Sequence, residues 1–269
     1  ESDAPVPTAK KEGLPLVLII EDNADVVHYL SACLEQEYSL AVARNGQEGI
    51  DKALESVPDL IISDVMMPEK DGFEVCQTLK TDVRTSHIPI VMLTAKADIA
   101  SKIEGLESGA DAYLAKPFNK QELLVRLKKL MELRKNLQQY YRSIAFLPEG
   151  AEAPAKEKIE NTFLQKVRDI VVAHLPDPEF ELPRLCREVT MSYSQLYRKL
   201  MALTGHPPTH FIRDARLAKA KALLLETELT VAEVAYDTGF TDPGYFTRVF
   251  TKEFGMSPTE FRRSQIDSY

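Results

Sequence analysis

Short aliphatic runs and helically spaced stretches alternate through the first half of the chain. The runs are LVLII (16–20), SLAVA (39–43), DLIIS (59–63), PIVML (89–93) and DAYLA (111–115), each of strand length. Between them, 24–36, 47–56, 73–80 and 98–108 place apolar residues three or four positions apart, and 119–140 closes the series. Five strand-then-helix units with nearly continuous apolar strands predict a doubly wound five-stranded parallel sheet, covered by helices on both faces. The pattern then breaks. FLPEGAEAPAKEK (146–158), rich in Pro, Ala and charge, reads as a connection between domains. Beyond it no comparable strand run occurs, and the remainder is predicted all-α.

The helical half repeats itself at an offset of 50 residues. SYSQLYRKLMALTGHPPTHF (192–211) aligns with DPGYFTRVFTKEFGMSPTEF (242–261). Leu196 falls on Phe246, Arg198 on Arg248, Leu200 on Phe250, Gly205 on Gly255, Pro208 on Pro258 and Phe211 on Phe261. Each copy follows a short helix and a tight turn, 183–189 then TM and 231–238 then GFT. Ser192 with Gln195, Thr230 with Glu233, and Ser257 with Glu260 have capping-box spacing, and Pro243 and Pro258 suit the first helical position. A duplicated helix–turn–helix is the simplest account.

Charge separates the halves. The formal net charge of −8 lies wholly in residues 1–155, with 17 Lys+Arg against 25 Asp+Glu; residues 156–269 carry 16 of each. An acidic domain joined to a balanced, Arg-bearing one suggests two separate jobs. No run approaches the length of a membrane-spanning helix and no signal peptide opens the chain. Cys33, Cys76 and Cys186 are scattered, odd in number and without metal-ligand spacing, which fits reduced thiols in a cytoplasm. A length of 269 residues accommodates two domains, each with its own core. The expected division is a linker at 1–14, an α/β domain at 15–140, a linker at 141–158 and a helical domain at 159–269.

In a doubly wound sheet, ligands bind at the carboxyl ends of the strands. The residues following the strands bring together Glu21, Asp22, Asp64, Thr94 and Lys116. Alone, Asp64 in IISDVMMPEKDG (61–72) could be an ordinary turn cap, Lys116 a solvated strand end and Thr94 a polar stop. Together, three carboxylates in one crevice repel unless a cation sits among them, and hard oxygen ligands suit Mg²⁺. Asp64 could then attack phosphorus, with Thr94 as hydroxyl donor and Lys116 neutralising a phosphoryl oxygen. A haloacid-dehalogenase-type phosphatase needs D-x-D after the first strand; here position 66 is Met and the acid follows the third strand.

The acidic pair, D-x-x-x-P (Asp64 to Pro68), Gly72, T-A (Thr94, Ala95) and K-P-F (Lys116, Pro117, Phe118) resemble the receiver domain of two-component response regulators. The resemblance covers roughly 15–135 and implies a flavodoxin-like α/β fold with Asp64 as phosphoacceptor. It implies Mg²⁺ held by Asp22, Asp64 and the backbone carbonyl of Met66, with Glu21 acting through water. It also implies a cis peptide bond before Pro117 and a switch role for Tyr113, which turns inward as Thr94 engages the phosphoryl group. Glu21 departs from the commoner Asp. Met66 and Lys96, two residues beyond Asp64 and Thr94, flank the approach of hydrolytic water. An apolar Met66 predicts a long-lived phosphorylated state.

RLAKAKALL (216–224), VAEVAYDTGF (231–240), YFTRVF (245–250) and GMSPTEFR (255–262) resemble the AraC/XylS-type DNA-binding domain. That family implies two recognition helices joined by a long helix, here about 210–226, that sets them in successive major grooves. With Leu196 and Leu200 inward, Tyr193, Ser194, Tyr197 and Arg198 are left for DNA on the first. With Phe246, Val249 and Phe250 inward, Pro243, Gly244, Thr247 and Arg248 are left on the second. Arg198 and Arg248 suit guanine or phosphate, the alternative being a duplicated structural Arg–Glu pair. Pro243 and Gly244 bring no side-chain hydrogen bonds, which favours backbone or shape contacts there. Phe240, Tyr245, Phe254 and Phe261 are expected in the core.

The combined reading is a phosphorylation-controlled transcription regulator that binds double-stranded DNA, as a homodimer, from the cytoplasm. The segment is expected to be no enzyme beyond its own phosphotransfer and dephosphorylation, and to make no direct membrane contact. None of the five histidines lies in a kinase dimerisation motif and no Gly-rich ATP lid is present, so a histidine kinase or kinase domain elsewhere must supply the phosphoryl group. The opening ESDAPVPTAKKEG, without Met, resembles a linker inside a hybrid two-component protein, whose sensor and kinase share one inner-membrane chain. The alternative is an unphosphorylated receiver serving only to dimerise a constitutive DNA binder.

Overall fold

The computed structural model describes residues 13–95, 109–144, 158–177 and 179–266; the helix expected at 98–108 and Lys96 lie outside them. The chain divides into two compact units, Glu1–Tyr140 and Tyr141–Tyr269.

The first unit is a five-stranded parallel sheet of order β2-β1-β3-β4-β5, with β1 Leu16–Ile20, β2 Ser39–Ala43, β3 Leu60–Asp64, β4 Ile90–Ala95 and β5 Ala112–Lys116. Alternate strand residues point to opposite faces. Val17, Ile19, Leu60, Ile62, Val91 and Leu93 pack beneath α1 (Ala24–Leu34) and α4 (Lys120–Ile144). Leu18, Ile20, Ile61, Ile90 and Met92 pack beneath α2 (Gly46–Ser56) and α3 (Gly72–Thr81). This two-sided burial is why the strands read as continuous apolar runs.

Strands β3, β4 and β5 begin one residue later than their aliphatic patterns suggest, because the acids at two of their starts are used sideways. Asp59 accepts from the Leu16 backbone N–H at 2.8 Å and from Arg134 at 3.1 Å. Asp111 accepts from the Ile90 N–H at 2.8 Å and from Lys80 at 2.6 Å. Each strand consequently ends on, or just past, the polar residue that matters: Asp64 closes β3, Thr94 and Ala95 close β4, and Lys116 closes β5. Helix α4 starts after Asn119, whose side chain accepts from the Glu122 N–H at 2.8 Å, and runs to Ile144, into the segment expected to be a linker.

The second unit is helical: α5 Lys158–Ala173, α6 Leu182–Val189, α7 Tyr193–Thr204, α8 Pro208–Glu226, α9 Val231–Asp237, α10 Pro243–Phe254 and α11 Pro258–Ile266. The repeat is visible in its caps. Helices α7 and α10 both end on glycines in the left-handed region, Gly205 at φ 72° and Gly255 at φ 75°, and each is followed by a Pro-led helix. Capping boxes form at Ser192 and Thr230, and reciprocal bonds join Ser257 and Glu260. Leu196, Leu200, Phe246 and Phe250 are fully buried, as their shared register requires. Around the second copy, Phe240, Phe246, Phe250 and Phe261 form a ladder of rings with centroids 5.1–5.7 Å apart. Helix α8 has 19 residues, a little longer than expected, which at a rise of about 1.5 Å per residue spans roughly 28 Å.

Candidate functional site

At the carboxyl end of the sheet, β1 ends into Glu21, β3 ends on Asp64 and β5 ends on Lys116. Because β1 and β3 are neighbours, Glu21 and Asp64 are brought together, Glu21 almost fully buried and Asp64 nearly so, with Asp22 exposed beside them. Carboxylate oxygens of Glu21, Asp22 and Asp64 lie within 4.8 Å of one another. Lys116 spans two of the acids: its Nζ lies 2.8 Å from Glu21 Oε2 and 3.0 Å from Asp64 Oδ2. The other oxygen of Asp64 accepts from the Val65 N–H at 2.9 Å, and Glu21 Oε1 accepts from the Asn23 N–H at 3.2 Å. Thr94 is buried one residue beyond Leu93, the partner of Asp64 in the β3–β4 pairing. The peptide bond between Lys116 and Pro117 is cis.

The turn after β3 packs tightly against the site. The Gly72 N–H donates to the Val65 carbonyl at 2.9 Å, and a Cβ at Gly72 would stand 2.2 Å from the Asp64 carbonyl oxygen. No side chain fits there, so Gly72 lets α3 start directly beneath the acid. Met66, two residues past Asp64, is 74% exposed. Tyr113 is half-buried against the apolar layer under α2 and α3, its hydroxyl out of contact with solvent.

Electrostatics follow from this crowding. Burial pushes the Glu21 carboxyl above its ordinary range, the Lys116 hydrogen bond pulls it back only in part, and the charge of Asp64 pushes it further up. Burial works against the Lys116 ammonium, but its hydrogen bonds to Glu21 and Asp64 and their charges outweigh this and raise its pKa. Three carboxylates facing one ammonium leave an excess of negative charge in a pocket of oxygen donors. That donor set fits a small hard dication such as Mg²⁺.

The expected DNA-facing residues of the second unit divide by environment. Tyr193, Ser194, Tyr197 and Arg248 are exposed, and Thr247 is half-buried with its hydroxyl donating to the Pro243 carbonyl at 2.9 Å. Arg198 is half-buried, and its Nη1 is enclosed without a hydrogen-bond partner. Among the described residues neither Arg198 nor Arg248 joins an ion pair, so the duplicated Arg–Glu pair does not form. Phe240 and Phe261 are buried and Phe254 is half-buried, but Tyr245 is not core: it is 46% exposed, its ring 6.3 Å from Phe240. Phe246 and Phe250 already fill the space under α10, and position 245 lies on its outer side. The repeat carried that signal, since Tyr245 falls on the polar Gln195.

Lys199 is a buried charge that the hydrophobic pattern does not mark. It is fully buried on α7, its Nζ 2.6 Å from Glu160 Oε2 in the first turn of α5 and 4.8 Å from the centre of the Phe163 ring. The available signal was its position: with Leu196, Leu200 and Leu203, Lys199 lies on the inward stripe of α7.

Comparison with known proteins covers both units. A response regulator receiver domain matches residues 17–128 and a helix-turn-helix domain matches residues 185–264. The chain is 34% identical over 250 residues to the DNA-binding dual master transcriptional regulator RpaA of Synechocystis sp., covering 91% of this chain and 100% of that one. It is 33% identical over 253 residues to histidine kinase P4 of Formosa agariphila, covering 94% of this chain and 18% of that protein. To the transcriptional regulatory protein ResD of Bacillus subtilis it is 42% identical over 116 residues, 43% of this chain and 47% of that one. The chain therefore spans the whole length of the first of these and less than half of the other two.

Proposed function

The chain belongs to the response regulators that join a receiver domain to an AraC-type helix-turn-helix domain, and from that premise we propose that Asp64 is its phosphoacceptor and that phosphorylation controls DNA binding by the helical unit. The observation that carries this is the setting of Asp64 at a strand end, one oxygen on the Val65 N–H and the other on Lys116, beside Glu21 and Asp22.

In this reading a carboxylate oxygen of Asp64 attacks the phosphorus of a phosphohistidine in line. The new O–P bond forms as the P–N bond breaks, and the donor imidazole leaves with the bonding pair. Lys116, already against Asp64, turns its charge to a phosphoryl oxygen, and the Thr94 hydroxyl donates to another. Asp22, Asp64 and the Met66 carbonyl, with Glu21 through water, would hold Mg²⁺, which when bound supplies charge neutralisation for the incoming phosphoryl group. Movement of Thr94 toward that group shifts Tyr113, whose hydroxyl is already enclosed, and this remodels the face that governs dimerisation or DNA binding. The donor is a histidine kinase or kinase domain; alignment with part of histidine kinase P4 supports a parent chain that carries one. The protein acts on cytoplasmic double-stranded DNA as a homodimer. Among the described residues no helix is long and apolar enough to cross a membrane.

Acetyl phosphate or beryllofluoride, each with Mg²⁺, tests the switch. Either should change oligomeric state or DNA affinity, measured by light scattering and by fluorescence anisotropy. If both leave both quantities unchanged, the receiver serves only as a constitutive dimerisation module. Met66 leaves an apolar side chain at the mouth of the site, so the acyl phosphate should last many minutes or longer. Its loss within seconds at room temperature would refute that role, and Met66→Asn should shorten the lifetime.

A further inference from the structure

The two helices assigned to DNA present rings where hydrogen-bonding groups would be the ordinary readers of base edges. Helix α7 begins at Tyr193, directly after its N-cap Ser192. Tyr193 and Tyr197, one turn apart, are 57% and 37% exposed, with ring centroids 6.0 Å apart and planes at 29°. Leu196 and Leu200 are fully buried beneath them, so the helix cannot roll to hide the rings. On α10 the first two residues are Pro243 and Gly244, the Thr247 hydroxyl is spent on the Pro243 carbonyl, and Tyr245 stands exposed in the first turn. Both helices thus offer aromatic surface in the first turn or two, the part of a recognition helix that meets base edges.

We propose that Tyr193, Tyr197 and Tyr245 read the 5-methyl groups of thymine in the major groove, so that both half-sites are chosen chiefly by where thymines stand. This rests on the reading of α7 and α10 as recognition helices. Each base pair is distinguished in that groove by its donors and acceptors and, for thymine alone, by a methyl group. A tyrosine ring facing the groove has one apolar partner there, and covering it removes exposed aromatic surface from water. Each ring loses little freedom on binding, having two side-chain torsions, and the stacked pair is held before DNA arrives. Ser194, Arg198 and Arg248 remain as polar contacts that place the helices on the backbone or on a single guanine.

The test uses the whole chain, treated with beryllofluoride and Mg²⁺, and a duplex selected by it from a random-sequence pool. Each thymine is then replaced by uracil, which removes the methyl and keeps every hydrogen-bonding group and charge. Binding should weaken about fourfold for each contacted methyl, from roughly 0.8 kcal/mol per buried carbon. The effect should be confined to thymines under the two helices. Tyr197→Ala and Tyr245→Ala should lose the preference for thymine over uracil at their own half-sites, while Tyr197→Phe and Tyr245→Phe keep it. Equal binding of thymine and uracil duplexes, with affinity lost in the Phe variants, would mean that the phenol hydroxyls hold phosphates and would overturn this inference alone. Failure to retain any duplex from the pool would overturn the DNA-binding reading and this inference with it.

Discussion

The receiver unit buries most of the groups proposed to act in it, whereas the helical unit displays most of its own. Glu21, Asp64 and Thr94 sit at strand ends almost out of solvent, and Lys116 and backbone N–H groups lock the two acids in place. Tyr193, Tyr197, Tyr245 and Arg248 are exposed on the first halves of their helices, and a buried charged pair of that unit, Lys199 with Glu160, lies on the inward side. The difference suits the two tasks proposed for them. Bond-making at phosphorus requires charges that are desolvated and already oriented, because water would screen and reorganise around them. Reading a duplex requires surface that DNA can cover, so the oriented charges go to holding the helix rather than to meeting the ligand.

This contrast can be broken at several points. Asp64→Asn should abolish phosphoryl uptake from acetyl phosphate in Mg²⁺, followed on phosphate-affinity gels, while Arg248→Ala leaves uptake untouched. Uptake by the Asn variant would remove Asp64 from its role. The next largest effect is expected at Lys199. Its replacement by Ala removes the buried ammonium that faces the Glu160 carboxylate and should cost about 3–5 kcal/mol of stability. The paired change Lys199→Met with Glu160→Leu should recover most of it, since an apolar pair of similar volume needs no desolvation. Urea unfolding followed by circular dichroism measures both. If the single variant unfolds like the parent, the buried pair does not hold α7 to α5.

Arg248→Ala comes third. Removal of an exposed guanidinium should weaken DNA binding by roughly 1–3 kcal/mol, with the salt dependence reduced by about one counterion if the contact is a phosphate. Anisotropy titrations at several salt concentrations separate these cases. The half-buried Arg198 should respond less to salt. The smallest effect concerns the caps of the helical unit. Backbone and side-chain hydrogen bonds from Thr230 hold Glu233 below the ordinary glutamate pKa, and the Ser257 hydroxyl and N–H do the same for Glu260. A depressed folded-state pKa means stability that is present above the ordinary value and lost as pH falls through the lowered one. The melting temperature of the parent should therefore fall more steeply through the acid range than that of a variant carrying Glu233→Gln and Glu260→Gln. Parallel curves would count against the caps.

Much of the receiver site was legible because its signals are local. A strand is recognised by its apolar run, and the residue after it lies at the sheet edge wherever the strand goes. That logic placed Glu21, Asp64, Thr94 and Lys116 at one end of the sheet. The one-residue shifts of β3 and β5 are not legible, since they depend on Asp59 and Asp111 finding backbone donors on other strands. In the helical unit the repeat exposed the caps and core positions together. The repeat does not separate residue types from their surroundings: Tyr245 carries a core-type ring and stands exposed, and Lys199 carries a charge and is fully buried.

Periodicity and capping, which act between residues two to four apart, were enough to specify the order of elements, the parallel sheet, the duplicated helix–turn–helix and the polar residues at each strand end. Lys116 clamping Glu21 across 95 positions, Lys199 burying its charge against Glu160 across 39, and the turning of Tyr245 into solvent were settled only by tertiary packing. Spacing along a chain encodes which face a residue occupies on its own element. What stands opposite that face, and whether water reaches it, depends on elements that arrive from elsewhere in the chain.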